Sequence, residues 1–287
     1  MNSPPYSLTT FSFKEAFISL LQSMVMGSGY FCPAATVSAL IALRQVNHDQ
    51  NLIYSSAIAL KLAASVYQPV PEIAHYLGQI LQNQIASLIQ GLNPLDLALP
   101  QAAVVLTGVR IQTTDVGLLQ LFVQDQAIAA WLNGLLQTPL TLPTTSLTPT
   151  QLVALSQEQQ FQIQHAHARC CSLLKLAEQQ GLIHLTQHCS EVDPFPWSIA
   201  LPESLPWLTV NGGLLLSHAT DRRLIQALVT AIDDIANSTL TSTCNGRQAL
   251  TICQALQAVH RARPLLADQT PAALPSLLAY QALIQMT

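Results

Sequence analysis

The stretch SQEQQFQIQHAHARCCSLLKLAEQQG, residues 156–181, decides how the second half of this chain folds. Ile163, Ala166, Cys170, Leu173, Leu174 and Ala177 recur at three- and four-residue spacings, which predicts a helix over 156–180 with one apolar face. Gly181 closes it, because glycine reaches the left-handed conformation that ends a helix without steric cost. The opposite face carries His165, Ala168, Ser172, Lys175 and Gln179, and Arg169 falls on the flank between the two. A guanidinium in that position can bridge to another helix, or it can hold a phosphate or a carboxylate.

The helical pattern continues toward the carboxyl end. Helices are expected over about 221–237, with Leu224, Leu228, Ala231 and Ile235 inward, over about 247–262, and over about 273–285. A proline- and tryptophan-rich excursion, 192–207, separates them from the helix of the opening stretch. On the amino-terminal side, 137–149 holds three prolines and five threonines with neither a helical nor a strand period, and reads as a linker. Ahead of it the pattern mixes helix and strand. Phe13, Ala16, Phe17, Leu20, Leu21 and Met24 predict a first helix, a second is read over 54–66, and a third over 71–89. Strands are read at 104–111 and 117–123, with a further one around 32–41, and a short helix follows from Asp125. The expected division is an α+β domain over 1–137, a linker over 138–150 and an all-α helical domain over 151–287, predominantly helical overall.

Only 9% of the 287 residues are charged, against about 25% in an average globular domain. Three lysines, eight arginines and a net charge of -4 leave no basic tail, which argues against strong general affinity for nucleic acid. A surface of Gln, Asn, Ser and Thr repels neighbours weakly and favours association. The uncharged run 16–43 is broken by Gln22, Gly27, Gly29 and Pro33, so it is no membrane span, and Met1 to Ser7 carries no positive charge ahead of an apolar run, so no secretory signal is expected. Six cysteines without a Cys-x-x-Cys pair fit a reducing, cytoplasmic setting.

The chemistry-bearing residues do not assemble into a catalytic motif. His165 and His167 stand two apart on a helix and point to different sides, so they cannot share a metal. No phosphate-binding glycine loop and no nucleophile elbow occurs, and no cofactor is expected. Arg247, His260, Arg261 and Arg263 form the densest positive surface. Phe195, Trp197 and Trp207, in the excursion, are either anchors for a protein partner or closures of the core.

The run Ala166-His167-Ala168-Arg169, with Cys171-Ser172 after one intervening residue, resembles the Tyr-Ala-His-Ala-Arg-x-Cys-Ser-Ile segment of arginyl-tRNA synthetases, with His165 in place of the tyrosine. That segment opens their DALR anticodon-binding domain. Ala258-Val259-His260 is similar to part of the family's later Ala-Phe-His-x-Phe-Tyr helix, without its closing aromatics. Tyr54, Ala59, Leu60, Leu62 and Ala63, then Pro71-Glu72-Ile73-Ala74 and Trp131-Leu132, resemble the family's additional amino-terminal domain. The family's His-Gly-Asp is replaced by Asn51-Leu52-Ile53, and neither His-Ile-Gly-His nor the lysine loop of its catalytic domain is present.

The resemblance thus implies the two flanking domains of a synthetase without the domain that activates arginine, hence a protein that is not an enzyme. Two functions follow. One is tRNA or other RNA binding, with His165, His167, Arg169, Arg247, His260, Arg261 and Arg263 as the contacting residues. The other is a structural or protein-interaction role, gripping a protein partner or another copy of the same protein.

Overall fold

Ser12 opens the first helix, α1 (Phe13–Gly27), by accepting a hydrogen bond from the Glu15 amide at 3.1 Å. This computed structural model describes residues 12–29, 40–48, 51–90, 105–137, 156–181, 184–187, 197–200, 207–237 and 242–262. Phe13, Phe17, Leu20, Leu21 and Met24 are buried along α1 at the spacing read from the sequence, while Ala16 is half-buried. After α1 come β1 (Leu43–His48), β2 (Asn51–Ser56), α2 (Ile58–Val66), α3 (Val70–Gln90), β3 (Val109–Thr113), β4 (Leu119–Val123) and α4 (Asp125–Gln137).

The four strands form one antiparallel sheet in the order β1-β2-β4-β3. Tyr54, read above as the start of a helix, lies in β2 instead, and the helix begins at Ile58. The reason is burial on both sides. Leu52, Ile53 and Tyr54 are all buried, so a strand with a neighbour on each edge lost the alternation that would have marked it. The strand read around 32–41 falls largely on 32–39, outside the described residues.

Close approach of backbones fixes how these pieces meet. At Gly78 an added Cβ would come within 3.3 Å of Thr113 Cγ2, so α3 packs tightly on β3. Gly108 is closer still: its carbonyl accepts from the Gln124 amide at 2.8 Å, and a Cβ there would lie 2.5 Å from the Ala127 nitrogen. The hairpin joining β3 to β4 turns at Thr114–Gly117, where Gly117 takes φ +81°, its amide donates to the Thr114 carbonyl, and the Thr114 amide donates to the Leu118 carbonyl. In the core, Phe13, Phe17, Tyr54 and Trp131 form a ring cluster, with Phe13 and Trp131 centroids 5.8 Å apart and Phe17 set edge-on to Tyr54 at 5.1 Å.

The described residues fall into two compact units that divide between Trp131 and Leu132, inside α4. In the second unit follow α5 (Gln157–Gln179), β5 (His184–Gln187), β6 (Trp197–Ala200), α6 (Ala219–Asn237) and α7 (Ser242–Ala262). Ser156 starts α5 with a reciprocal capping box, its hydroxyl accepting from the Gln159 amide and the Gln159 side chain accepting from the Ser156 amide. Such a cap contributes about 1 kcal/mol. Of the face read from the sequence, Ala166, Cys170, Leu173, Leu174 and Ala177 are buried, while Ile163 is half-buried. α7 packs against both α5 and α6.

This unit is not purely helical, contrary to the expectation above. β5 and β6 pair antiparallel, and a short hairpin bridges Leu208 to Leu214. Four-residue strands are too short to display a period, and Thr186 and Ser198 dilute their apolar content. The last expected helix, 273–285, lies outside the described residues. Among the described residues no helix is long and apolar enough to cross a membrane.

Candidate functional site

The solvent face of α5 is built by helical spacing alone. Phe161, His165 and Arg169 stand at successive four-residue steps and therefore line one side of the helix. All three are exposed, Phe161 by 64%, and the Phe161 and His165 ring centroids lie 6.0 Å apart. An exposed phenylalanine beside an exposed imidazole, one turn from a guanidinium, offers a flat apolar surface next to a fixed positive charge. That combination suits a ligand with a planar ring and an anionic group.

α7 adds the second component. His260 is half-buried, and the Arg169 guanidinium acts on it across the α5–α7 packing. Burial, and then that positive charge, push the imidazole pKa down to about 4. His260 is therefore neutral at neutral pH and leaves Arg169 as the charged partner of the pair. Arg261 is exposed on the next position, in the last turn of α7, where positive charge complements the helix dipole.

The remaining residues singled out from the sequence are dispersed. Arg247 is exposed near the start of α7, fourteen positions before Arg261 and thus about 21 Å along the helix axis. His167 faces away from His165, as the spacing requires, and its Nδ1 lies 3.9 Å from Cys171 Sγ. Trp207 is buried, and its indole nitrogen donates to the Asn133 side chain, so it closes the core of its unit. Trp197 opens β6, paired with Gln187. Phe195 and Arg263 lie outside the described residues.

Comparison with known protein-family models, curated proteins and solved structures finds nothing that matches this chain. Its site therefore stands on its own geometry.

The thiols beside the site are poor nucleophiles. Burial pushes the Cys170 thiol far up, with Cys171 and Cys253 adding to the effect, and burial raises Cys253 to about 11. Cys171 is raised by the same cause. All three stay protonated at neutral pH. Among the described residues no group of three or more His, Cys, Asp or Glu side chains could hold a metal ion.

Sequence reasoning passed over Phe161. Its signal was available as a lone aromatic among glutamines, four positions before His165 and off the apolar stripe. Arg110, stacked 5.1 Å over the Phe122 ring in the first unit, was likewise not singled out, because the two meet only through the β3–β4 register.

The depressed imidazole gives a pH dependence with a definite sign. In the unfolded state His260 titrates near its ordinary value of about 6.5, and in the native state at about 4. Between those values the unfolded state takes up the proton first. Stability is therefore expected to be full above about pH 6.5 and to fall until about pH 4, where the native imidazole titrates. After allowing for solvent screening of a half-exposed ring, the loss is about 1–2 kcal/mol. Urea midpoints measured across that window should shift less for His260→Gln than for the wild type; equal shifts would remove His260 as the cause.

Proposed function

We propose that this protein is a non-catalytic relative of arginyl-tRNA synthetases that binds RNA through the exposed face of α5. The observation that carries the reading is the Phe161-His165-Arg169 row. A base stacks on the Phe161 and His165 rings, and the Arg169 guanidinium takes a phosphate, with Arg261 adding positive charge at the end of α7. The motif Ala166-His167-Ala168-Arg169 with Cys171-Ser172 supports the link to the DALR anticodon-binding domain, and the small antiparallel sheet with its helices is in keeping with an additional amino-terminal domain ahead of it. Protonated thiols and the missing ATP-handling motifs support a binding role over catalysis.

With so few cations the affinity rests on stacking more than on counterion release, so its salt dependence is shallow. Binding of total tRNA, followed by filter retention or fluorescence anisotropy at low and moderate salt, tests the reading. Phe161→Ala is expected to weaken binding about tenfold, in line with the loss of one stacked base. Absence of binding at low micromolar protein in low salt would sink it.

A second reading, a protein-interaction subunit, is favoured by the apolar side chains left in solvent on a low-charge surface: Met26, Tyr67, Val116 and Val210 are all more than half exposed. It requires a stoichiometric partner or a self-associated form in solution, and a monomer without a partner excludes it.

A further inference from the structure

Asparagine precedes glycine three times in this sequence, at Asn133-Gly134, Asn211-Gly212 and Asn245-Gly246. A glycine that follows asparagine leaves its backbone nitrogen unshielded, so that nitrogen can attack the carboxamide carbon of the asparagine. The three pairs share this chemistry but not their surroundings. Asn133 lies in α4, half-buried, with its side-chain oxygen accepting from Trp207. Asn245 and Gly246 lie in the first two turns of α7. Helical dihedrals turn the following nitrogen away from the side chain, and leaving them requires local unfolding.

Asn211 is placed differently. It is exposed at the tip of the hairpin that bridges Leu208 to Leu214. The Gly212 amide donates to the Thr209 carbonyl at 2.9 Å, Gly212 takes φ +77°, and a second glycine, Gly213, follows. Rotating one peptide at this tip costs a single turn bond in water, against a run of ladder bonds in a helix.

We propose that Asn211 is the site of spontaneous deamidation in this protein. The Gly212 nitrogen, losing its proton to solvent base, bonds to Asn211 Cγ; the bond from Cγ to the amide Nδ2 breaks and ammonia leaves, giving a cyclic imide. Water then opens the ring at either carbonyl, to aspartate or to isoaspartate, so the net change is one water consumed and one ammonia released. Either product adds a negative charge. Isoaspartate also inserts a methylene into the main chain of a turn closed by bonds of 2.7 Å and 2.9 Å, directly beside the buried Trp207 and Leu214.

The β3–β4 turn supplies a control. Its bonding matches position for position, with Thr114 at the place of Thr209, Gly117 at that of Gly212, and Val116 at that of Asn211. Asn211→Val therefore keeps a turn already used elsewhere in the protein and removes the reactive amide. The purified full-length protein is aged in mildly alkaline buffer and mapped by peptide mass spectrometry, with an isoaspartyl methyltransferase as a second readout. Conversion at Asn211 is expected to exceed that at Asn133 and Asn245 by about tenfold or more, to be the main source of released ammonia, and to vanish in Asn211→Val. In denaturant the three rates should converge. Comparable rates at all three sites in the folded protein, or an intact Asn211 after ageing, would overturn the assignment.

Discussion

Trp131→Ala is expected to lower stability by about 3–5 kcal/mol, the largest loss from any single side-chain truncation in the first unit. Trp131 is 2% exposed and closes a cluster with Phe13, Phe17 and Tyr54, rings supplied by α1, β2 and α4. Truncation removes the indole's buried area and leaves a cavity whose other aromatic walls belong to α1 and β2, so no one element can shift to fill it. A loss of this size approaches the whole stability of an ordinary domain. Thermal unfolding followed by near-ultraviolet circular dichroism reads it directly. Trp131→Phe should recover more than half of the loss, which separates packing from any role of the indole nitrogen. A loss under about 1 kcal/mol would mean that the cluster is not tightly packed.

Gly108→Ala is the second large effect, and its cause is the opposite one, too much matter instead of too little. The new Cβ would meet the Ala127 nitrogen at 2.5 Å and its Cβ at 2.8 Å. Backbone does not rotate away as the end of a flexible side group does, so either β3 or the first turn of α4 must move, and the Gln124-to-Gly108 hydrogen bond is lost with it. The expected cost is about 3 kcal/mol or more. Ala127→Gly in the same protein removes the second clash though not the first, and should restore only part of it. Denaturant midpoints of the single and double variants test this, and a neutral Gly108→Ala would show that β3 and α4 approach each other loosely.

What the sequence disclosed follows from how each element is buried. α1 and α5 each have one side in the core and one in water, so Phe13, Phe17, Leu20, Leu21 and Met24, and again Ala166, Cys170, Leu173, Leu174 and Ala177, announce themselves by spacing. In α3 the reading was nearly as good: Ile73, Leu77, Leu81 and Ile85 are buried, whereas Leu88 near the end is 46% exposed. β2 escaped because its core segment is apolar on both faces, and such a run cannot be told from a buried helix by period. β1 escaped for the contrary reason, since Arg44, Gln45 and Asn47 give an edge strand too polar to stand out. At the site, helical spacing put His165 on the polar face and Arg169 on the flank, whereas both are exposed and stand in one row with Phe161. The pairing of Arg169 with His260 was not legible, because residues on separate helices are joined only by packing. Trp207 illustrates the same limit: a tryptophan in a proline-rich stretch reads equally as anchor or as core, and only the Asn133 contact and its burial decide.

The strand order has a consequence for how the protein acquires its shape as it is made. β2 takes its inner partner from residues 119–123, not from its neighbours in sequence, so Leu52–Ser56 cannot be sealed until β4 has left the ribosome. During that interval the edge of β2 that β4 will cover is unpaired, next to three side chains that end up buried. Every residue of α2, α3 and β3 is synthesised first, and α3 can already be helical while it waits. Nascent polypeptides shorter than the end of β4 are thus the ones that need shielding, and the late sheet closure makes this unit a slow folder compared with the helices that follow it.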